Sequence, residues 1–214
     1  MRKTILAAAA ATGLATLALT GLTAQDAATP GAMDVSRVTA GTYTTDPAHS
    51  LVQWSVDHFG FNPYFGVFGD VAGTLTLDPA AIEDATVDVQ IPIASVAVPS
   101  AGLRDHLLRP GKDGGSPDFF GAEPGMARFV STEVTQLGAT RALIAGDLTM
   151  NGQTGPVVLL TEFSGAGANP MSEAETVGFT ATTTVDRSNW GIGYAIPMVS
   201  DAVDLKISVA FEKQ

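Results

Sequence analysis

The feature that most constrains this chain is a two-residue alternation of apolar and polar side chains, recurring from residue 52 to residue 211. Val52, Trp54, Val56 and His58 alternate with Gln53, Ser55 and Asp57. Near the other end, Val203, Leu205, Ile207, Val209 and Phe211 alternate with Asp204, Lys206 and Ser208. Successive side chains of an extended strand point to opposite faces, so this period buries one face of a sheet and leaves the other to solvent. Val67, Gly69, Val71, Gly73, Leu75 and Leu77 are expected to share one face of a longer strand, bent at its glycines and ended by Asp78-Pro79. Val87, Val89, Ile91 and Ile93 continue the pattern, and further strands are expected at 126–136, 141–150, 155–164, 176–186 and 201–212. Asn151-Gly152 lies between two such runs, the signature of a type I′ hairpin turn that needs positive φ at both central residues.

One stretch breaks the rhythm. Residues 103–109 and 117–121 read as short helical turns, joined by a glycine-rich flexible loop at 111–116. About eight strands with one short helical excursion predict an all-β domain. Sustained one-face alternation favours antiparallel pairing, and closure into a barrel removes the exposed edges. An open two-sheet sandwich is the structural alternative.

The start of the chain follows different rules. Arg2 and Lys3 precede an almost unbroken run of Ala, Leu, Thr and Gly over residues 5–22, and Ala24 stands before Gln25-Asp26. This is the anatomy of a secretory signal peptide occupying 1–24. A retained membrane anchor is the competing reading, and the Ala-rich run disfavours it. Residues 25–40 read as a flexible spacer, leaving 41–214 as the barrel domain. The chain has no cysteine, which excludes a lipoprotein anchor, disulfides and thiolate chemistry. Hydrophobic residues make up 45%, enough for a core that needs no covalent staples. The expected address is therefore the periplasm. A formal net charge of −11 with no basic stripe argues against nucleic acid and anionic lipid surfaces as partners.

A search for catalytic chemistry returns little. His49, His58 and His106 form no HxH or HExxH pattern, so no metal site is expected. There is no GxSxG elbow, and Ser50 beside His49 would point to the opposite face of a strand. No glycine loop of phosphate-binding type follows a strand and opens a helix. No catalytic residue and no cofactor is expected, and a small-molecule hydrolase using His49 or His58 is only a third reading.

Large side chains concentrate instead at the expected barrel openings: Phe59, Phe61, Tyr64, Phe65 and Phe68 at one bend, Phe119-Phe120 in the excursion, and Trp190 and Tyr194 before the last strand. For any single one of them, ordinary core packing is the better explanation. An eight-stranded barrel, however, is either filled by its own side chains or holds one small ligand. Gly69, Gly73 and Gly146 on the inward face are expected to leave space.

Seven fragments in order then resemble the YceI-like domain family over 42–212. They are Asp46-Pro-Ala-His49-Ser50; His58-Phe59-Gly60 with Phe68-Gly-Asp-Val-Ala-Gly73-Thr-Leu; Arg104-Asp105 with Asp118-Phe119-Phe120; Gly146-Asp-Leu-Thr-Met-Asn-Gly152-Gln-Thr; Phe179-Thr-Ala-Thr; Arg187-Ser188-Asn-Trp190-Gly191-Ile-Gly193; and Val199-Ser-Asp201-Ala-Val. The resemblance implies a lipocalin-like antiparallel barrel, often dimeric, periplasmic or secreted, and holding a long isoprenoid or other lipid-like chain such as a quinone. The resemblance also implies a binding protein rather than an enzyme, with a carrier or sequestering role. Each buried methylene contributes roughly 0.8 kcal/mol, so such a chain binds without a strong polar contact. On this reading Trp54, Phe59, Phe61, Phe68, Phe119, Phe120, Phe129, Phe179, Trp190 and Tyr194 are lining candidates. His49, Arg104 and Asp105 are candidate polar contacts, or else fix loops by charge-assisted hydrogen bonds. The chain departs from the family pattern where Phe65 replaces an arginine and Leu107 a histidine, with His106 one place early. Asn151 stands where a histidine is frequent, and 111–116 is an insertion. The resemblance thus implies the tunnel and leaves the head group open. The alternative is a barrel that binds a protein partner, such as a membrane electron-transfer protein, and uses its cavity only structurally.

Overall fold

The computed structural model describes residues 29–214. The signal-peptide reading of 1–24 lies outside the described residues. Ten strands are present: β1 (Gly41–Thr45), β2 (Leu51–His58), β3 (Asn62–Phe68), β4 (Ala72–Leu77), β5 (Thr86–Pro92), β6 (Met126–Gly138), β7 (Arg141–Met150), β8 (Gln153–Ala168), β9 (Glu175–Asp186) and β10 (Ala202–Lys213). Every pairing is antiparallel. The order runs β1-β4-β5-β6-β7-β8-β9-β10, and β10 returns to β1, closing an eight-stranded barrel.

The β2–β3 hairpin extends this ring. Along one edge of β10, Phe211–Lys213 pair with β1 and Asp204–Ser208 pair with β2. β1 and β2 are thus two pieces of one interrupted stave, as are β3 and β4, which pair with them in the same order. The first interruption is a turn in which Asp46 Oδ1 accepts the Ala48 N–H at 3.0 Å. There the Ala210 N–H donates to Ser50 Oγ at 3.1 Å, filling the gap in the ladder. The second interruption contains Asp70 at φ 55°. It divides the single strand expected over 67–77 and changes which residues face inward. Phe68 lies opposite inward-facing Val52, whereas Val71, Leu75 and Leu77 face inward beyond the break. A one-residue shift exchanges the faces of a strand, so an unbroken alternation could not serve both pieces.

The same adjustment recurs on β6. A bulge between Ser131 and Glu133 moves the inward set from Phe129 to Val134. The β7–β8 turn has the expected geometry, with Asn151 at φ 53° and Gly152 at φ 75°. In the excursion, α1 (Ala101–Leu107) starts where Ser100 Oγ accepts the Leu103 N–H at 3.2 Å. Residues 117–121 form bends rather than a helical turn, and a single 3-10 turn occupies Lys112–Gly114.

The described part of the 25–40 segment is docked on the barrel instead of forming a spacer. Ala32 and Ala166 exchange two backbone hydrogen bonds, at 3.1 and 2.9 Å. A 3-10 turn at Val35–Arg37 places Val35 and Val38 on one face, because residues three apart eclipse in that helix. Both border the barrel interior. Two apolar clusters result. Val38, Tyr43, Leu75, Leu77, Phe163, Ala166, Val177 and Phe211 pack beneath the docked segment. Phe129, Val157 and Trp190 pack at the opposite end. Among the described residues, no helix is long and apolar enough to cross a membrane.

Candidate functional site

The barrel encloses a cavity of about 510 Å³, within the range of small-molecule sites. Its wall is the inward set of the alternation: Val87 and Val89, Ile144 and Leu148, Leu159, and Ile207 with their neighbours. The mouth opens between the docked segment at Val35 and Ser36, the Pro79–Ala85 loop, and the β6–β7 hairpin at Gly138–Arg141. Three polar lining residues, Gln136, Thr140 and Arg141, collect at that hairpin. Arg141 is paired there with Glu162 at 3.3 Å. With Ser36, these three residues place most of the polar lining at the opening, and Thr161 and Thr183 are the polar residues of the wall below it.

Behind the lining residues Phe129, Leu148 and Val157 lies Trp190, buried to 2% exposure, whose Nε1–H donates to the Leu148 carbonyl at 3.0 Å. Two neighbours are shaped to it. A Cβ at Gly155 would come within 3.3 Å of the indole, and Asn151 donates its Nδ2–H to the Trp190 carbonyl at 3.0 Å. In the same 3-10 turn as Trp190, Arg187 is nearly fully buried and donates to the carbonyls of Ile192, Val199 and Ser200 at 2.8, 3.0 and 2.9 Å. Burial holds its guanidinium below the usual arginine range, partly offset by Asp201.

At the opposite end a second polar cluster ties down the docked segment. The Glu175 carboxylate accepts the Thr39 N–H at 2.8 Å, the Thr39 hydroxyl at 2.6 Å and the Tyr43 hydroxyl at 2.7 Å, with Lys213 at 3.7 Å. Burial, reinforced by the hydrogen bond to Glu175, pushes the Tyr43 phenol up to about 12. Arg187 opens one of the family-like fragments, but nothing in the sequence marks it as buried, and Glu175 reads as one charge among many.

The structure distributes the lining candidates unevenly. Phe129 and Phe179 border the cavity, whereas Trp190 packs behind Phe129 and Val157 without bordering it. Trp54 lies on the inner side of the interrupted stave without bordering the cavity; its indole fills the space over Gly66, and its Nε1–H has no hydrogen-bond partner among the described residues. Phe68 and Phe120 meet at 6.0 Å outside it. Phe119 and Tyr194 pack edge-on against His106 at 5.1 and 5.2 Å, around the His106–Asp118–Arg109 cluster that pins the excursion. Phe59 and Phe61 sit at the β2–β3 hairpin, 47% and 87% exposed, because a tight turn carries its side chains away from the barrel.

None of the polar candidates borders the cavity. His49 Nδ1 lies 2.6 Å from Asp46 in the first interruption. Arg104 donates to the carbonyls of Val96 and Ala94 at 3.2 and 3.4 Å, and Asp105 is exposed. Phe65 faces outward at 57% exposure and Leu107 is buried in α1; neither these two nor Asn151 reaches the cavity. Two of the three inward glycines do not leave space. A Cβ at Gly146 would lie 2.4 Å from the Phe129 ring, and one at Gly73 would lie 2.1 Å from the Asp88 carbonyl. Neighbouring groups already occupy both seats, and the cavity's room comes instead from Ala142 and Ala181.

Comparison with known proteins agrees with this architecture. A UPF0312 protein of Pseudomonas putida (strain GB-1) is 35% identical over 167 residues, covering 78% of this chain and 82% of that protein. A UPF0312 protein of Pseudomonas fluorescens (strain SBW25) is 34% identical over 185 residues, covering 85% and 92%. Among solved structures, BcnA of Burkholderia cenocepacia superposes with a TM-score of 0.66 at 23% identity, covering 78% of this chain and 98% of that one. The YCEI protein of Campylobacter jejuni gives 0.60 at 26%, covering 74% and 90%. A polyisoprenoid binding domain from Saccharophagus degradans gives 0.56 at 12%, covering 80% and 98%. The family model of the YceI-like domain matches residues 43–211, nearly the whole of the described barrel, and the chain belongs to the YceI-like family.

Proposed function

We propose that this protein is a periplasmic binding protein that holds an isoprenoid or similar lipid-like chain inside its barrel, in a carrier or sequestering role without catalysis. The observation that carries the reading is the apolar cavity inside the closed barrel, whose mouth carries Ser36, Gln136, Thr140 and Arg141 and whose wall below them is apolar except for Thr161 and Thr183. A chain with an apolar tail and a more polar head is complementary to that gradient. At about 30 Å³ per small group in a liquid, 510 Å³ receives a tail of about three isoprene units. A longer chain continues out through the mouth. The polyisoprenoid-binding description of the Saccharophagus degradans domain supports the same ligand class. The signal-peptide anatomy of residues 1–24 and the absence of cysteine support the periplasmic address.

The test is extraction of purified processed protein with organic solvent, followed by mass spectrometry. A stoichiometric isoprenoid or lipid is expected. A clean extract from a protein that also fails to take up polyprenyl ligands overturns the reading.

A further inference from the structure

The cavity wall carries one anomaly. Thr161 on β8 lies between Ala142 of β7 and Ala181 of β9, its direct register partners, and all three border the cavity. Thr161 is 9% exposed, and its Oγ1 is shielded from solvent with no hydrogen-bond partner among the described residues. A hydroxyl left unmatched in an apolar wall costs stability that a valine of the same shape would not. The two alanines leave a recess beside it. Because no acceptor holds the hydroxyl in the wall, a staggered turn about χ1 brings Oγ1 to the place of the methyl without giving up a hydrogen bond.

We infer that Thr161 is a specificity-determining residue that meets an oxygen carried by the occupant, which is therefore an apolar chain bearing a carbonyl or hydroxyl rather than a pure hydrocarbon. The inference rests on the proposed lipid-binding function and deepens it. Its place in the wall fits a head group. The pair Ala142–Thr161 is one step from Arg141–Glu162, the pair that begins β7, so Thr161 lies just under the rim where Gln136, Thr140 and Arg141 gather. A threonine hydroxyl donates to a carbonyl and accepts from a hydroxyl, so it serves either oxygen. A site built around such a group discriminates against the analogue that lacks it, because the buried polar atom is then left unpaired.

The experiment compares wild type with Thr161→Val, which keeps the shape, and Thr161→Ser, which keeps the hydroxyl. Three probes are titrated by the fluorescence of Trp190 and Trp54: geranylgeranylacetone, geranylgeraniol and the hydrocarbon phytene. The valine variant is expected to bind the ketone or the alcohol about tenfold more weakly, the loss of one buried hydrogen bond. Its hydrocarbon affinity stays unchanged, and serine restores the loss. Which oxygenated probe responds identifies the oxygen. Equal affinities of valine variant and wild type for all three bound probes, or an equal loss for all three, overturn the inference and leave the proposed function standing. If no probe binds wild type, the proposed function falls and the inference with it.

Discussion

Substituting Ala181 by phenylalanine tests whether the occupant is inside the barrel. Ala181 is buried to 6% exposure, borders the cavity, and lies between Thr161 and Ile207 in the sheet. The substitution adds six ring carbons, which at about 30 Å³ each remove about 180 Å³ from a cavity of about 510 Å³. Displacing as many ligand carbons at roughly 0.8 kcal/mol per methylene forfeits about 5 kcal/mol. At 1.4 kcal/mol per tenfold, that exceeds three powers of ten in affinity. A flexible tail can slide toward the mouth, so the measured loss is expected to be smaller, about a hundredfold or more. The ring enters space the protein does not fill, so the strain of overpacking a dense core is avoided and the melting temperature should hold or rise. Ligand titration and solvent extraction read the affinity and the occupancy; circular dichroism confirms the fold. A folded Ala181→Phe protein with wild-type affinity and occupancy would refute the barrel interior as the binding site.

Two further substitutions test the groups that hold the ends. Burial pushes the Glu175 carboxyl upward, but the donors Thr39 and Tyr43 together with Lys213 outweigh it and hold it below 4.5. A carboxyl depressed in the folded state contributes stability that is present above its unfolded value and lost as pH falls through the folded one. Glu175→Gln should therefore cost about 1–2 kcal/mol at neutral pH, and its deficit against wild type should shrink below pH 4.5 in paired thermal melts. A pH-independent deficit would contradict this role. Arg187→Lys keeps the charge but cannot span three carbonyls with a rigid fork. A loss of about 2–4 kcal/mol by chemical denaturation is expected, since buried acceptors are left without donors, and a variant as stable as wild type would contradict that account.

Much of the barrel was legible in the sequence because alternation reports directly which face a strand buries. β7, β10 and the Asn151-Gly152 turn lie within one residue of their expected places. What escaped were the points where the chain leaves regular geometry. The break at 69–71 is invisible to a period count, because apolar residues of opposite parity on its two sides read as one run. The docking of 29–40 rests on small residues, with Ala32 and Pro30 against Ala166 and Gly167, and composition alone makes such a segment resemble a linker. The aromatic candidates divided for a related reason. Phe129 and Phe179 sit inside strands, where the period fixes their direction, whereas Phe59 and Phe61 occupy a turn, where it does not. Thr161 carries no signal in the sequence, since one threonine in an apolar run looks like ordinary strand composition.

The double pairing of β10 has a kinetic consequence. Lys213 lies beside Tyr43 and Ser208 beside Leu51, so the contacts that close the barrel join the first strands to the last residues of the chain. Closing so large a loop is entropically costly and slow, and no local contact can stand in for it. Until the final strand exists, the β9 edge and the β1/β2 edge both stay unpaired and the cavity lacks the wall that Leu205, Ile207, Val209 and Phe211 supply. The barrel can thus be completed only when its last dozen residues are available, and shortening the chain there removes the seam, the wall and the site in one step.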